Sequence, residues 1–219
     1  MGIYRWQLSG CNFWLAVLCA SMLANLVEAN EVDDFDRPGL YAGIGGTYAF
    51  HWFAGKSFDR NLGGGNVQVV SSSSGGANAR LGYRVNDWFA AEAEYEWIDG
   101  FTNKIRGNNV ATLTSHQLTL NGKFLYSDWG RIQPYGLLGV GVSIWTARDR
   151  NNQGAGLDKV SAGLAGRVGL GVDAYATENL LVNLEVDMAL STTTINNSRG
   201  GNLKNLFYIP IQLGIQYRF

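Results

Sequence analysis

The chain has 219 residues and a formal net charge of −1, and this charge balance argues against nucleic-acid binding. Glycine (29 residues), tyrosine (10) and tryptophan (7) are frequent while proline is rare (3), which favours a closed β-sheet over a helical bundle. No apolar run after the first 30 residues reaches the roughly 18 residues that a membrane-spanning helix requires. Any membrane crossing by this part of the chain must therefore use strands.

The first residues are typical of a secretory signal peptide. Arg5 supplies a positive charge, residues 13–23 form an apolar run, and Val27-Glu28-Ala29 fits the small-residue rule for cleavage. The apolar run is too short for a transmembrane anchor. We therefore expect a signal peptide at residues 1–29, with cleavage after Ala29.

Cysteine and histidine are scarce in the part of the chain that remains after cleavage. Cys11 and Cys19 both lie in the predicted signal peptide, and the only histidines are His51 and His116. The mature chain then has no disulfide and no thiolate nucleophile. A multi-histidine metal site is also excluded, and we expect neither a bound metal nor a cofactor.

The last 13 residues, 207–219, alternate strictly between two rows. The apolar row contains Phe207, Ile209, Ile211, Leu213, Ile215, Tyr217 and Phe219. A period of two indicates a strand with one face in an apolar environment and the other in a polar one. Soluble strands usually have about five or six residues, whereas a tilted strand of roughly nine to eleven crosses a bilayer.

The same alternation recurs in seven earlier segments, at residues 40–52, 77–85, 89–97, 117–126, 138–144, 164–173 and 182–188. Long polar connectors are predicted at about 53–76, 98–112, 146–160 and 191–205. Short turns are predicted at Asn86-Asp87, Asp128 and Glu178. Transmembrane barrels have short periplasmic turns, long outer loops and an even number of strands. The pattern predicts an all-β fold, an eight-stranded antiparallel up-and-down transmembrane β-barrel at residues 40–219, after a periplasmic lead-in at 30–39.

The ionisable side chains fall on one row of each strand. A charge facing lipid near the bilayer midplane costs a few kcal/mol, so this row must face the barrel interior, unlike the apolar interior of a soluble lipocalin-like barrel. The predicted interior charge network is Arg80, Arg84, Glu92, Glu94, Glu96, Lys123, Arg167, Asp173, Glu185, Asp187 and Arg218. Arg80 and Arg84 are expected to pair with Glu92–Glu96 across one hairpin. We interpret the network as a plug, and an ion or small-molecule path is the competing interpretation.

Aromatic residues near the predicted strand ends suggest two interfacial girdles. The outer girdle is predicted to contain Trp52, Trp97, Trp145 and Phe207. The inner girdle is predicted to contain Phe89, Trp129, Tyr135, Tyr175 and Phe219. The interior row also carries many glycines, which make room for bulky neighbours rather than forming a nucleotide loop, since no helix follows them.

Four segments of the mature chain resemble the outer membrane protein β-barrel superfamily of Gram-negative bacteria, in particular the OmpA-type transmembrane domain and the opacity-type surface antigens. These segments are residues 40–46, 92–95, 133–141 and 215–219. The last is similar to the C-terminal signal that the outer-membrane assembly machinery reads, with Tyr217 and Phe219 as the signal residues. The resemblance implies location in the cell outer membrane, and no peptidoglycan-binding domain is expected after Phe219.

The resemblance implies a non-enzymatic integral protein that contributes to envelope structure and displays surface loops. The expected partners are outer-membrane lipid and lipopolysaccharide, the assembly machinery, and a host or environmental ligand at the loops, with the barrel itself a monomer. Basic residues in the predicted loops suit anionic phosphates, and they are Lys56, Arg60, Lys104, Arg106, Arg148, Arg150, Lys159, Arg199 and Lys204.

Two other functions stay open. The first is a narrow channel for small or apolar solutes, as in OmpW-like barrels. The second is a lipid A-modifying enzyme, since some small outer-membrane barrels are lipid A deacylases with Ser and His two positions apart. Here Ser115 and His116 are adjacent, so on a regular strand they face opposite ways. For His51 a hydrogen bond at the outer rim is preferred to a catalytic role.

Overall fold

The structure is a computed structural model that describes residues 35–51, 73–105, 108–149, 159–196 and 202–219. These residues form eight strands: β1 (Gly39–His51), β2 (Ser73–Arg84), β3 (Phe89–Ile105), β4 (Asn108–Leu125), β5 (Ile132–Asp149), β6 (Lys159–Tyr175), β7 (Leu180–Asn196) and β8 (Asn202–Arg218). Each strand is long enough to cross a bilayer when tilted. Within the described ranges, no helix is long and apolar enough to span a membrane.

The strands close into a barrel in chain order. Every strand pairs antiparallel with its sequence neighbour, and β1 also pairs with β8, where Gly45 faces Gly214. The closure leaves no free sheet edge, as a sheet surrounded by lipid requires. The predicted all-β, eight-stranded antiparallel barrel is confirmed.

The two rows of each strand face opposite environments. On the outer surface, large apolar side chains are exposed, for example Leu120 at 69 %, Val140 at 69 % and Leu170 at 73 %. Polar and charged side chains fill the interior. An aqueous protein would bury the first set and expose the second, so this reversed distribution indicates lipid outside the barrel.

The outer ends of several strands extend further than the sequence predicted. The predicted loop at 98–112 is mostly the hairpin of β3 and β4, which continues to Ile105 and resumes at Asn108. The predicted loop at 191–205 is also largely strand, because β7 runs to Asn196 and β8 begins at Asn202. Backbone hydrogen bonds form there although many side chains are polar. The strand register shifts within both hairpins, as at a β-bulge. The predicted loop at 53–76 lies mostly outside the described residues.

The short turns lie where the sequence placed them. In the first, Val85 N–H and Asn86 N–H both donate to the Phe89 carbonyl at 2.9 and 3.3 Å. The Asn86 side chain also accepts from the Phe89 N–H at 2.8 Å. Side-chain capping of this kind is why Asn is frequent in tight turns. The other two turns connect β4 to β5 and β6 to β7, at the same end of the barrel.

The described interior is layered along the barrel axis. At the end opposite the short turns, which is the predicted outer mouth, an apolar layer is formed by Ala49, Ile98, Trp145, Ala189, Leu206 and Tyr208. At the end with the short turns, which is the predicted periplasmic mouth, a second apolar layer is formed by Tyr41, Ala90, Leu125, Tyr135 and Leu137. Most of the buried charges lie between these two layers, and the remainder lie beside the periplasmic one.

Candidate functional site

The interior is the most distinctive chemical feature of the described structure. All eleven residues of the predicted charge network face inward, and each is at most 4 % exposed. The structure divides them into two groups. The central cluster contains Arg80, Arg167, Glu92, Glu94, Glu96, Glu185 and Asp187, and the periplasmic cluster contains Arg84, Lys123, Asp173 and Arg218.

Arg167 on β6 is the hub of the central cluster. Its Nη1 lies 2.7 Å from Glu94 Oε1, and its Nη2 lies 3.2 Å from Glu96 Oε2. Its Nε donates to Asp187 Oδ2 at 2.9 Å. The guanidinium therefore serves three carboxylates from two strands, using the fixed fork of donors that lysine lacks.

Arg80 on β2 reaches across the barrel. Its two terminal nitrogens donate to both carboxylate oxygens of Glu185 on β7, at 2.9 and 3.1 Å, and Nη2 also donates to the Gln212 side-chain oxygen. The predicted partners across the hairpin, Glu92 and Glu94, are further away at 4.0 and 3.9 Å. Both distances still correspond to ion pairs, so the predicted pairing of Arg80 across the hairpin is present. Its carboxylate hydrogen bonds nevertheless go to Glu185, because the narrow barrel brings β7 within the reach of a long side chain.

The central cluster has five carboxylates but only two guanidiniums. Neutral side chains donate further hydrogen bonds to these carboxylates. Tyr41, Tyr135 and Tyr208 donate to Glu92, Glu185 and Glu96 at 2.9, 2.6 and 2.7 Å. Gln212 Nε2 donates to Glu94 and Glu96 at 2.9 and 2.8 Å. These tyrosines were not predicted as interior donors. Strand parity was the available signal, since each lies on its strand's inward row.

The periplasmic cluster is built differently. Lys123 Nζ donates to Asp173 Oδ2 at 2.6 Å and lies 3.8 Å from the centre of the Tyr135 ring. The predicted pairing of Arg84 with the Glu92–Glu96 row is not what the described residues show. Arg84 donates to Gln133 Oε1 at 2.7 Å and to the backbone carbonyl of Phe35 at 3.1 Å. Arg84 is at the last position of β2, too close to the barrel end to meet the row.

The described part of the lead-in, which starts at Phe35, packs against this end of the barrel. Phe35 is buried although its neighbours in the sequence are polar, and its ring lies 5.2 Å from the Tyr175 ring. Its carbonyl accepts from Arg218 Nη1 at 2.6 Å as well as from Arg84. Two guanidiniums therefore hold one carbonyl, so the described part of the lead-in is attached to the barrel.

Three residues predicted for the aromatic girdles point inward instead. Trp145, Tyr135 and Tyr175 are 0 %, 4 % and 2 % exposed. Each shares a row with interior residues, and a period of two then fixes its direction. The predicted girdle residues that face lipid or solvent most clearly are Trp97, Trp129 and Phe219, at 39 %, 66 % and 66 % exposure. Phe89 and Phe207 are partly exposed, and Trp52 lies outside the described residues.

The residues considered for catalysis do not converge. Ser115 is 1 % exposed and faces the interior, while His116 lies on the outer surface, where its Nδ1 is 2.8 Å from Tyr95 Oη. Among the described residues, no group of three or more His, Cys, Asp or Glu side chains could hold a metal ion. The side chain of His51 lies outside the described residues. At the end of the chain, Tyr217 and Phe219 face outward with their rings 5.3 Å apart.

Comparison with known proteins identifies a family and several solved structures that are similar to this chain. The family model described as "Outer membrane protein beta-barrel domain" matches residues 15–219. Among solved structures, Neisserial surface protein A is similar with a TM-score of 0.58 and 16 % identity, over 84 % of this chain and 99 % of that one. OprG of Pseudomonas aeruginosa has a TM-score of 0.54 and 20 % identity, over 83 % and 96 %.

Ail of Yersinia pestis, in complex with the heparin analogue sucrose octasulfate, has a TM-score of 0.53 and 15 % identity, over 84 % of this chain and 99 % of that one. No curated protein sequence matches the chain. At these identities the structural likeness shows the fold, whereas the family match extends over nearly the whole chain. The chain therefore belongs to the outer membrane protein β-barrel family, and the protein is located in the bacterial outer membrane.

Proposed function

We propose that the protein is a sealed, non-enzymatic barrel that contributes to the structure of the outer membrane and displays its loops at the cell surface. The observation that carries this proposal is the layered interior. The central cluster of charged side chains lies between two apolar layers, and a solute would have to displace both layers. Buried charges persist when they are paired and hydrogen-bonded, and Arg80 and Arg167 each form ion pairs with carboxylates and donate hydrogen bonds to them.

One interior cavity of the described barrel is small. A cavity beside the periplasmic cluster, lined by residues that include Tyr41, Lys123 and Asp173, has a volume of only about 10 Å³. That is room for about one water molecule. An eight-stranded barrel is just wide enough for its own side chains to fill it, so this packing supports a plug rather than a channel.

Conductance in planar bilayers tests the sealed barrel. The purified protein is expected to insert without producing current steps, with insertion checked by flotation with liposomes. Steady openings of the wild type would refute the plug and favour the narrow-channel alternative. Trp145→Ala, which removes the largest side chain of the outer apolar layer, is the matched variant. Because the second apolar layer remains intact in this variant, Trp145→Ala is also expected to produce no current steps.

The arrangement of Ser115 and His116 argues against the enzymatic alternative, because the two side chains lie on opposite sides of the barrel wall. A nucleophile and its base must be within hydrogen-bonding reach. Mass spectrometry of lipid A from cells with and without the protein is expected to show identical species. A mass change that depends on the protein would overturn this part of the proposal.

The surface loops are the proposed binding elements, and anionic glycans or lipopolysaccharide phosphates are the first ligand class to test. Basic residues in the predicted loops support this choice, for example Lys56 and Arg60, and a barrel of the same fold has been solved with a sulfated heparin analogue. Replacing both residues with glutamate is expected to weaken binding to immobilised heparin. Replacing the turn residue Glu178 with lysine, at the opposite end, is the control and is expected to leave binding unchanged.

We also propose that Tyr217 and Phe219 act as the signal that the assembly machinery reads. Both side chains face outward at the end of β8 and take no part in the interior network. Phe219→Ala is therefore expected to reduce the amount of barrel in the outer membrane of living cells. Refolding of the same variant into detergent is expected to be nearly normal, and equal losses in both assays would assign Phe219 a purely structural role.

A further inference from the structure

A hydrogen-bonded polar pair lies on the outer surface of the barrel, where apolar side chains dominate. Tyr95 on β3 is 44 % exposed, and its Oη lies 2.8 Å from Nδ1 of His116 on β4. The same outward row of β4 continues toward the periplasm with Leu118, Leu120 and Phe124, each about half exposed or more. The pair therefore interrupts the apolar surface of the β3–β4 hairpin.

The position of the pair along the strand places it at the outer edge of the apolar band. His116 precedes the last residue of β4, Leu125, by nine positions. At about 3.4 Å per residue and a tilt of about 40°, this is roughly 23 Å along the membrane normal, against an apolar band about 25 Å tall. Trp97, directly opposite His116 in the register, is 39 % exposed, as is typical of an indole at a membrane interface.

The contact with Tyr95 leaves one imidazole donor without a partner in the protein. A phenol donates readily, and a neutral imidazole that accepts at Nδ1 carries its proton on Nε2. Among the described residues, no hydrogen-bond acceptor contacts Nε2. At the edge of the apolar band this donor lies at the level of the lipid headgroups, so a polar headgroup of the membrane is within its reach as an acceptor.

We propose that His116, Tyr95 and Trp97 form a binding site on the barrel wall for a phosphorylated glycolipid of the outer leaflet. His116 Nε2 donates to the lipid phosphate, Tyr95 holds the imidazole in the donating orientation, and the exposed indole of Trp97 contacts the sugar. Tyr95 is a positioning residue in this arrangement. The site depends on neither the sealed interior nor the surface loops, so it stands or falls separately from the proposed function.

A nearby carboxylate limits the strength of the site. Asp99 lies on the next outward position of β3 after Trp97 and accepts a hydrogen bond from Thr114 Oγ1 at 3.0 Å. Its negative charge opposes a phosphate at His116. Asp99→Asn keeps an acceptor for Thr114 and removes the repulsion, so this variant is expected to bind the lipid more tightly when a chelator removes divalent cations.

The experiment uses the full barrel in phosphatidylcholine nanodiscs that contain a small fraction of bisphosphorylated lipid A, in buffer with chelator. Native mass spectrometry measures the lipid A retained. Loss of a hydrogen bond to a charged group corresponds to about tenfold in affinity, and His116→Leu is expected to show a loss of this size. His116→Gln retains an N–H donor and is expected to recover part of it.

A control and a spectroscopic signal separate the site from general effects on the barrel. Thr192 is an outward hydroxyl on β7 that already accepts from the Leu164 N–H at 3.1 Å, so Thr192→Val is expected to retain lipid A like the wild type. The chain has only two histidines, so the ¹⁵N resonances of His116 can be assigned by difference with His116→Leu. Nε2 is expected to shift when lipid A is added, and Tyr95→Phe is expected to reduce that shift.

Two results would overturn the proposal. One is equal retention of lipid A by the wild type and His116→Leu. The other is equal retention of bisphosphorylated and dephosphorylated lipid A by the wild type, which would show that acyl-chain packing alone accounts for binding. Since leucine suits a lipid-facing position, His116→Leu is expected to fold, and His116→Gln provides a second variant if it does not.

Discussion

Arg167→Met removes the guanidinium that contacts Glu94, Glu96 and Asp187. Methionine fills a similar volume, so the main change is electrostatic. Removing one partner of a buried ion pair leaves an uncompensated charge, which destabilises proteins by about 3–5 kcal/mol. Arg167 serves three carboxylates rather than one, so we expect a loss at the upper end of this range.

The matched control removes a carboxylate from the same cluster. The central cluster has five carboxylates, Glu92, Glu94, Glu96, Glu185 and Asp187, against two guanidiniums. Asp187→Asn therefore reduces an excess of negative charge and keeps an oxygen that accepts from Arg167 Nε. We expect its free energy of unfolding to lie within about 1 kcal/mol of the wild type.

Urea unfolding in lipid vesicles, followed by tryptophan fluorescence, measures both variants. At an m-value of about 2 kcal/mol per M, a loss of 4 kcal/mol lowers the midpoint by about 2 M. The prediction is the asymmetry between the variants rather than either value alone. Equal destabilisation by Arg167→Met and Asp187→Asn would refute the charge argument, and an unchanged midpoint for Arg167→Met would refute the structural role of the cluster.

Three further predictions concern packing and topology. A Cβ at Gly141 would collide with the backbone of β4, whereas a Cβ at the outward Gly46 meets nothing within 4 Å. In urea unfolding, Gly141→Ala is therefore expected to destabilise the barrel by more than about 2 kcal/mol and Gly46→Ala by less than about 0.5 kcal/mol. Similar values for the two variants would count against the strand register. Phe35→Ala is expected to lose about 3 kcal/mol and to speed hydrogen exchange at the periplasmic end of β6, and unchanged exchange would show that the lead-in is not attached. In intact cells, a membrane-impermeant thiol reagent is expected to label Ser72→Cys but not Asp128→Cys, and the reverse pattern would invert the topology.

Strand count and facing were predictable because they depend on a local signal. Alternation with a period of two needs only the sequence, and the rows containing Leu118, Glu94 or Asp187 face the way that signal indicates. The strand ends were harder, since the residues between Ile98 and Asn108 look polar and turn-like. Residues 101–105 still pair with residues 108–113 across the β3–β4 hairpin, because backbone hydrogen bonds do not depend on side-chain polarity.

The partners of the interior charges depend on distances that the sequence does not contain. Arg80 is one hairpin from Glu94 in the sequence, yet its closest carboxylate is Glu185, 105 positions away. Only closure of the barrel brings these strands together. The placement of Tyr135 and Trp145 was wrong for a different reason. Both were assigned to the membrane interface by residue type, although their strand positions already assigned them to the interior.

The closure of β1 on β8 has a consequence for how the barrel forms. The interior contacts of Gln212 join β8 to Glu94 and Glu96 on β3 across more than 100 residues of chain, so they cannot exist before the ends of the sheet meet. Loop-closure entropy must be overcome before any of these contacts stabilises the protein. We therefore expect partly assembled sheets to be unstable, with inner faces that are still hydrated. The pairing of β1 with β8 and the loss of water from the interior are expected to occur together in one slow, cooperative step.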